Sequence, residues 1–185
     1  RGAWIGQIIG TLMGFQFEGK VASSPLVSVN QYPKPFEAAQ VDDDYYYELV
    51  ALRAFEKYGI AMTLDQLGQQ WKDNSAGSWG SSEQTRFALA KGAQGSEAGH
   101  PRYNRLWWTI GPQFSADIYG MIAPGHPNLA GRLARTYGHI NGHAEGTDGA
   151  VFVAGMVSLA FRETDSRKIV REAAKLIHPS SPYRQ

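Results

Sequence analysis

Asp42-Asp43-Asp44-Tyr45-Tyr46-Tyr47-Glu48-Leu49 is the stretch from which the rest of the chain is read. Three adjacent carboxylates repel one another. At a helix start the aligned peptide dipoles offset part of that repulsion, by a few tenths of a kcal/mol to about 1 kcal/mol per acid. A hard divalent cation offsets more, because Mg²⁺ takes oxygen ligands at about 2.0–2.1 Å. The triplet is therefore either a solvated acidic cap or one wall of a cation site. Both readings start a helix here. Tyr45, Leu49, Leu52 and Phe55 share one face at helical spacing, and Gly59 is a fitting stop.

Upstream, residues 19–41 carry Pro25, Pro33 and Pro35 and read as a long irregular connection. Before it, Gly2, Gly6, Gly10 and Gly14 recur every fourth residue. On a helix this makes a smooth ridge that another backbone can approach closely. Glycine costs about 1 kcal/mol per helical position, so the spacing predicts a buried first helix tightly packed by its neighbours. The apolar run Trp4 to Phe17, broken by Gln7, is too short to span a bilayer. Glu18 follows it, either as a surface cap or as a ligand pointing back into a site.

Downstream, Thr63-Leu64-Asp65-Gln66 reads as a capping box, with Leu64, Leu67 and Trp71 facing inward. A helix is expected over 83–91 and a loop over 92–104. Trp107, Ile110, Phe114, Ile118 and Met121 repeat at helical spacing, and Pro127 suits the first position of the next helix. Ala130, Leu133, Ala134 and Tyr137 face inward there. A polar cluster over 138–149 precedes a helix with Val151, Ala154, Val157 and Phe161 inward. Asp165 caps a last helix that buries Ile169, Val170, Ala173 and Ile177. No period-two run or hairpin turn occurs. The expectation is a single all-α domain over 1–185 with seven or eight helices.

Composition bounds the function. The chain has 185 residues, 43% of them apolar and 19% charged, as in a globular domain with a real core. A net charge of +1 gives no electrostatic case for nucleic acid or an anionic membrane as partner. The absence of cysteine excludes disulfide and thiolate chemistry and suits a cytoplasmic address. No secretory signal is evident. The chain opens on Arg1 and ends on Pro182-Tyr183-Arg184-Gln185, so both ends read as cuts.

Glu18, Asp42, Asp43 and Asp44 flank two adjoining helix termini and can face one pocket. Two hard cations about 3.5–4 Å apart could then bind substrate hydroxyls and orient a water. An Asp-Asp-x-x-Asp diphosphate motif is not present, because Tyr46 takes the fifth position. His139 and His143 are four apart, but Asn141 and Gly142 between them favour a loop over a zinc-binding helix face. No nucleophile elbow, phosphate loop or dinucleotide fingerprint occurs.

Taken together, five segments resemble the ADP-ribosylglycohydrolase family, relatives of the dinitrogenase-reductase-activating glycohydrolase. They are the glycine-ridged start, Glu18, Asp42-Asp43-Asp44, the run Ile118-Tyr119-Gly120 to Pro124-Gly125-His126-Pro127, and Glu145-Gly146-Thr147-Asp148-Gly149-Ala150-Val151-Phe152. The triplet resembles the family's Thr-Asp-Asp-Thr motif, with Asp42 and Tyr45 in place of the threonines. The resemblance implies an orthogonal all-α fold, two Mg²⁺ or Mn²⁺ ions, and hydrolysis of the bond at the ribose carbon of an ADP-ribosyl group. The substrate would be an ADP-ribosylated protein or a small ribosyl compound. Asp42, Asp43 and Asp44 are then the implied metal ligands, Glu18 and Asp43 the catalytic residues, and Asp117, Asn141, His143 and Asp148 the substrate-side candidates. The family's second metal motif, Asp-x-Asp followed by Thr or Ser near the C-terminal end, does not occur in this sequence. The resemblance therefore implies an N-terminal portion, and leaves open a non-catalytic member retained for binding or assembly.

Overall fold

The structure, a computed structural model, describes residues 1–15, 17, 19, 42–74 and 77–185. Among these it is all-helical, with no strand. The helices are α1 (Gly2–Phe15), α2 (Asp43–Tyr58), α3 (Leu64–Asp73), α4 (Gly80–Ala90), α5 (Gly95–Ala98), α6 (Gly111–Phe114), α7 (Asp117–Met121), α8 (Pro127–Gly138), α9 (Glu145–Ala160) and α10 (Ser166–Ala174). A 3₁₀ turn, Pro182–Arg184, follows. Glu18 and the proline-containing connection over 20–41 lie outside the described residues.

The hub is α9, which packs against α6, α7, α8 and α10. Its buried residues are small, among them Gly146, Gly149, Ala150, Ala154, Gly155 and Ser158. Small faces let helix axes close up. A methyl group at Gly120 of α7 would lie 2.6 Å from the Ala154 carbonyl oxygen, so α7 and α9 meet backbone to backbone. A second group, α2 to α5, joins this one through contacts of α2 with α6 and α7. Aromatic side chains fill the seam. Tyr47 stacks on Trp71 at 4.0 Å between ring centroids, and Phe55 meets both Tyr119 and Tyr137 edge-on.

Local signals hold where the chemistry is short-range. Thr63 and Gln66 form the reciprocal capping box at 3.1 and 2.8 Å. Gly59 ends α2 at φ 77°, a conformation that favours glycine. Asp165 caps α10 by accepting from the Arg167 and Lys168 amides. The inward face of α8 is as expected: Ala130, Leu133, Ala134 and Tyr137 are all buried.

Several expectations are corrected. No residue of α1 is buried, Ile5 and Ile9 are half-exposed, and a methyl group at Gly2, Gly6, Gly10 or Gly14 would touch no described atom within 4 Å. A glycine ridge permits close approach; it does not supply the approaching partner. The core face of α2 is Tyr47, Glu48, Val50, Ala51 and Ala54, while Leu49 is half-exposed. Leu52 and Phe55 pack against the core as expected, so periodicity found one edge of the buried face and missed the part that contains a glutamate. The Trp107–Met121 stripe is not one helix. Pro112, which lacks an N–H, sits at the start of α6, and the chain turns again at Ser115 before α7. Ile110 consequently stands in solvent while Ile118 is buried. Phe161 and Val170 are also exposed rather than inward. Among the described residues, no helix is long and apolar enough to cross a membrane.

Candidate functional site

Asp42 is the N-cap of α2. Its extended backbone (φ −135°, ψ 146°) turns its side chain back, so that Oδ1 accepts from the Asp44 amide at 3.0 Å. Asp43 and Asp44 occupy the first turn, where the dipole favours anions. The turn makes consecutive carboxylates converge: one oxygen from each aspartate lies within 4.8 Å of the other two. All three are partly buried. Among the described residues, no other set of three metal-ligating side chains converges in this way.

The triplet lines a cleft of about 930 Å³, within the size range of nucleotide-sized ligand sites. Gly10, Thr11, Gly14 and Phe15 of α1 form a second side, so among the described residues these two glycines border the cleft rather than a partner helix. The remaining wall is Trp79, Gly80 and Ser81 at the start of α4, with Thr109, Ile110, Gly111 and Phe114. Gly80, at φ 54°, makes the tight entry into α4. Helix starts leave backbone N–H groups without intrahelical partners. The cleft thus sets an acidic wall and the positive end of an eleven-residue helix around one space. Trp79 is 59% exposed.

Behind the triplet stands Glu48, one turn along α2 from Asp44. It is fully enclosed, and neither carboxylate oxygen makes a hydrogen bond of good geometry, although the Asp117 backbone amide lies close enough to act on it. Burial, then the nearby Asp117 and Asp44 charges, push its carboxyl up to about 10; the Asp117 backbone amide opposes only part of this. Asp117 itself is raised to about 6 by burial. Both acids hold protons more tightly than free carboxyls. Gln7 of α1 donates to the Asp44 carbonyl at 3.4 Å, and its Oε1 is buried without a partner.

The other sequence candidates fall in three places. Asp117 joins Glu48 beneath the triplet. Asn141 is fully buried behind the opposite wall; its Oδ1 accepts from Thr85 Oγ1 at 3.2 Å, and its Nδ2 has no partner. A methyl group at Gly111 would collide with Ser81 Oγ and sit 2.6 Å from that Nδ2, so glycine brings the wall against Asn141. His143 packs edge-on between His139 and His100, at 5.0 and 5.5 Å between centroids. Asp148 pairs with Arg135 at 2.7 Å and accepts from Ser181 Oγ at 2.5 Å, in a separate depression near the chain end. Sequence reading missed Glu48, Gln7 and Trp79. Glu48 carried a usable signal, since four residues after Asp44 it shares that residue's side of the helix.

No curated protein and no solved structure matches the chain. The family model described as ADP-ribosylglycohydrolase matches residues 1–185, the whole of it. With that match over an all-helical fold, the chain belongs to the ADP-ribosylglycohydrolase family.

Proposed function

We propose that the protein is a metal-dependent hydrolase of the glycosidic bond at the ribose of an ADP-ribosyl group, with Asp42, Asp43 and Asp44 holding up to two Mg²⁺ or Mn²⁺ ions. The observation that carries this is the convergence of three carboxylates on the wall of a nucleotide-sized cleft. An acceptor-only oxygen set suits hard cations, so the residues present fit the implied metals. Bound there, such ions supply Lewis acidity and orient the ribose hydroxyls and a water.

The chain's own groups do the rest. Asp43 and Asp44 attract positive charge to the dipole-stabilised first turn of α2, while Asp42 holds that turn in shape through the Asp44 amide. The start of α4, across the cleft, suits the diphosphate, because its first N–H groups and dipole favour anions. Trp79 offers a face for the adenine. Among the sequence candidates, Asp117 and Asn141 are proposed to support the cleft from behind. His143 and Asp148 are proposed to act on portions of the substrate that reach past the cleft.

The test is release of ADP-ribose from an ADP-ribosylated peptide with added Mg²⁺ or Mn²⁺. Release that needs the ion and falls at least about a hundredfold in Asp43→Asn and Asp44→Asn is expected. No release, or release indifferent to both substitutions, sinks the reading. A non-catalytic binding role is favoured by one observation, Tyr45 and Asp42 in place of the motif's threonines; ion-dependent ADP-ribose binding without turnover would establish it.

A further inference from the structure

We propose that the far half of α4, with Lys91, Arg102 and Arg105, is a docking surface for an acidic face of the protein that carries the ADP-ribosyl group. The inference rests on the hydrolase reading above and deepens it, because it names the class of carrier that the cleft serves.

A depression of about 380 Å³ lies beside α4, bordered by Gln84, Phe87, Lys91, Arg102, Tyr103 and Arg105. Three of its lining side chains are cations and none is an acid; Glu83, in the first turn of α4, does not line it. Among the described residues, none of the three cations forms an ion pair. The whole chain carries a net charge of +1, so this is a local excess. The C-terminal dipole of α4 accounts for Lys91, its C-cap. Arg102 and Arg105 come from another segment, and Asn104 between them is fully buried. Its Nδ2 donates to the Ser81 carbonyl at 2.9 Å and to Thr85 Oγ1 at 3.1 Å, both on α4, and its Oδ1 accepts from the Leu106 amide at 2.9 Å. The arginine-bearing turn is thereby pinned against the helix, and the cations are held together before any partner arrives. Phe87 and Tyr103 stand exposed among them, and the Arg102 guanidinium lies 5.6 Å from the centre of the Tyr103 ring. Arginines beside exposed aromatics have the composition of a protein-binding patch, and their charge selects an acidic partner. A nucleic-acid strand is held by cations spread along its backbone, whereas three in one small depression suit a cluster of carboxylates. Position links the patch to the cleft. Gly80, Gln84, Phe87 and Lys91 stand at i, i+4, i+7 and i+11, on one side of α4. Gly80 borders the cleft and the other three border the depression, so about 16 Å of helix joins the two. A protein that delivers its ADP-ribosyl group to the cleft overlies this side of α4.

The test compares wild type with a triple variant, Lys91→Gln, Arg102→Gln and Arg105→Gln, and with a charge-keeping double variant, Arg102→Lys and Arg105→Lys. The binding probe is a fluorescent peptide alternating Glu and Phe, followed by anisotropy, with a single-stranded oligonucleotide as the competing polyanion. All three cations are exposed, so both variants should melt like wild type. Expected are binding of the Glu/Phe peptide that weakens as salt rises, a loss of at least about tenfold in the triple variant, and recovery of most of it in the double variant. In turnover, joining the Glu/Phe sequence to an ADP-ribosylated peptide lowers KM at unchanged kcat in wild type and not in the triple variant. No peptide binding by wild type, or full binding by the triple variant, overturns the docking surface. Tighter binding of the oligonucleotide than of the peptide overturns it in favour of a nucleic-acid face, and self-association that the triple variant abolishes, without peptide binding, in favour of a second copy. The hydrolase reading fails separately: if wild type releases no ADP-ribose from either peptide, hydrolysis falls, and the anisotropy titration still decides whether an acidic partner docks here.

Discussion

Glu48 follows Asp44 by one helical turn on α2, yet Asp44 borders the cleft and Glu48 is sealed from water. Two acids on one side of one helix thus experience different dielectric surroundings. The outer one gains from solvent and the helix dipole. The inner one is starved of both, and its proton is held until about pH 10.

That difference sets a pH dependence for the metal-free protein. An unfolded glutamate titrates at 4.5, and folded Glu48 at about 10. Below pH 4.5 both states carry the proton and the contribution to stability is complete. As pH rises from there towards 10, the unfolded chain releases the proton and the folded one retains it, so stability falls, by up to about 1.4 kcal/mol per pH unit for one proton. Asp117, raised from 3.8 to about 6, adds the same sign over a narrower window. Tyr119 of α7, whose hydroxyl is also pushed up by burial and by Glu48, stays neutral throughout. Chemical denaturation at pH 5 and pH 8 should show Glu48→Gln gaining on wild type at the higher pH by about 1 kcal/mol or more. Parallel curves for the two proteins would contradict this.

Asp42 can be divided into a cap and a charge. Its Oδ1 accepts the Asp44 amide, so Asp42→Ala should cost about 0.5–2 kcal/mol of stability. Asp42→Asn keeps an oxygen for that amide and removes the charge. It should melt within a few degrees of wild type without metal, but gain less from added Mg²⁺ or Mn²⁺, since ligand stabilisation follows affinity. Thermal melts of both variants across an ion titration read this directly. Equal ion-induced shifts in Asp42→Asn and wild type would confine Asp42 to capping.

Glycines separate into those that face space and those that face backbone. A methyl group at Gly6 meets nothing described within 4 Å, whereas one at Gly95 collides with the Leu64 carbonyl at the start of α3. Gly6→Ala should therefore stabilise by about 0.5–1 kcal/mol through helix propensity. Gly95→Ala should destabilise by about 1–3 kcal/mol, the range of an overpacked core. Differential scanning calorimetry decides the sign of each.

Which features were legible in the sequence follows from the range of the forces behind them. Capping at Thr63, Asp165 and Asp42 depends on residues two or three apart, and those signals were readable. The α8 face, Ala130 to Tyr137, was readable because one side of that helix is apolar and the other is not. The α2 face was readable only in part: Leu52 and Phe55 pack against the core, but Glu48 is buried there too, and no pattern of apolar residues predicts a buried acid. Trp107 to Met121 keeps helical spacing across a break, since hydrophobic periodicity ignores the donor that Pro112 lacks. The acidic wall of the cleft was visible as a run of three residues. Its opposite wall was not, because Trp79 to Ser81 and Ile110 to Gly111 meet the triplet only through tertiary packing.

That opposite wall supplies the last prediction. Trp79 is largely exposed and sits on the cleft rather than in the core, so truncating it removes little packing. Surface substitutions of this kind usually change stability by about 0.5 kcal/mol or less. An aromatic face beside a nucleotide is worth more, about 1–3 kcal/mol per stacked base. Trp79→Ala should hence melt like wild type and bind ADP-ribose about five- to a hundredfold more weakly, while Trp79→Phe retains most of the affinity. Calorimetric titration with ADP-ribose, and with ribose 5-phosphate as the ligand lacking adenine, localises the effect. If Trp79 stacks on the base, the substitution spares ribose 5-phosphate binding; equal losses for both ligands would place Trp79 against the sugar or phosphate instead.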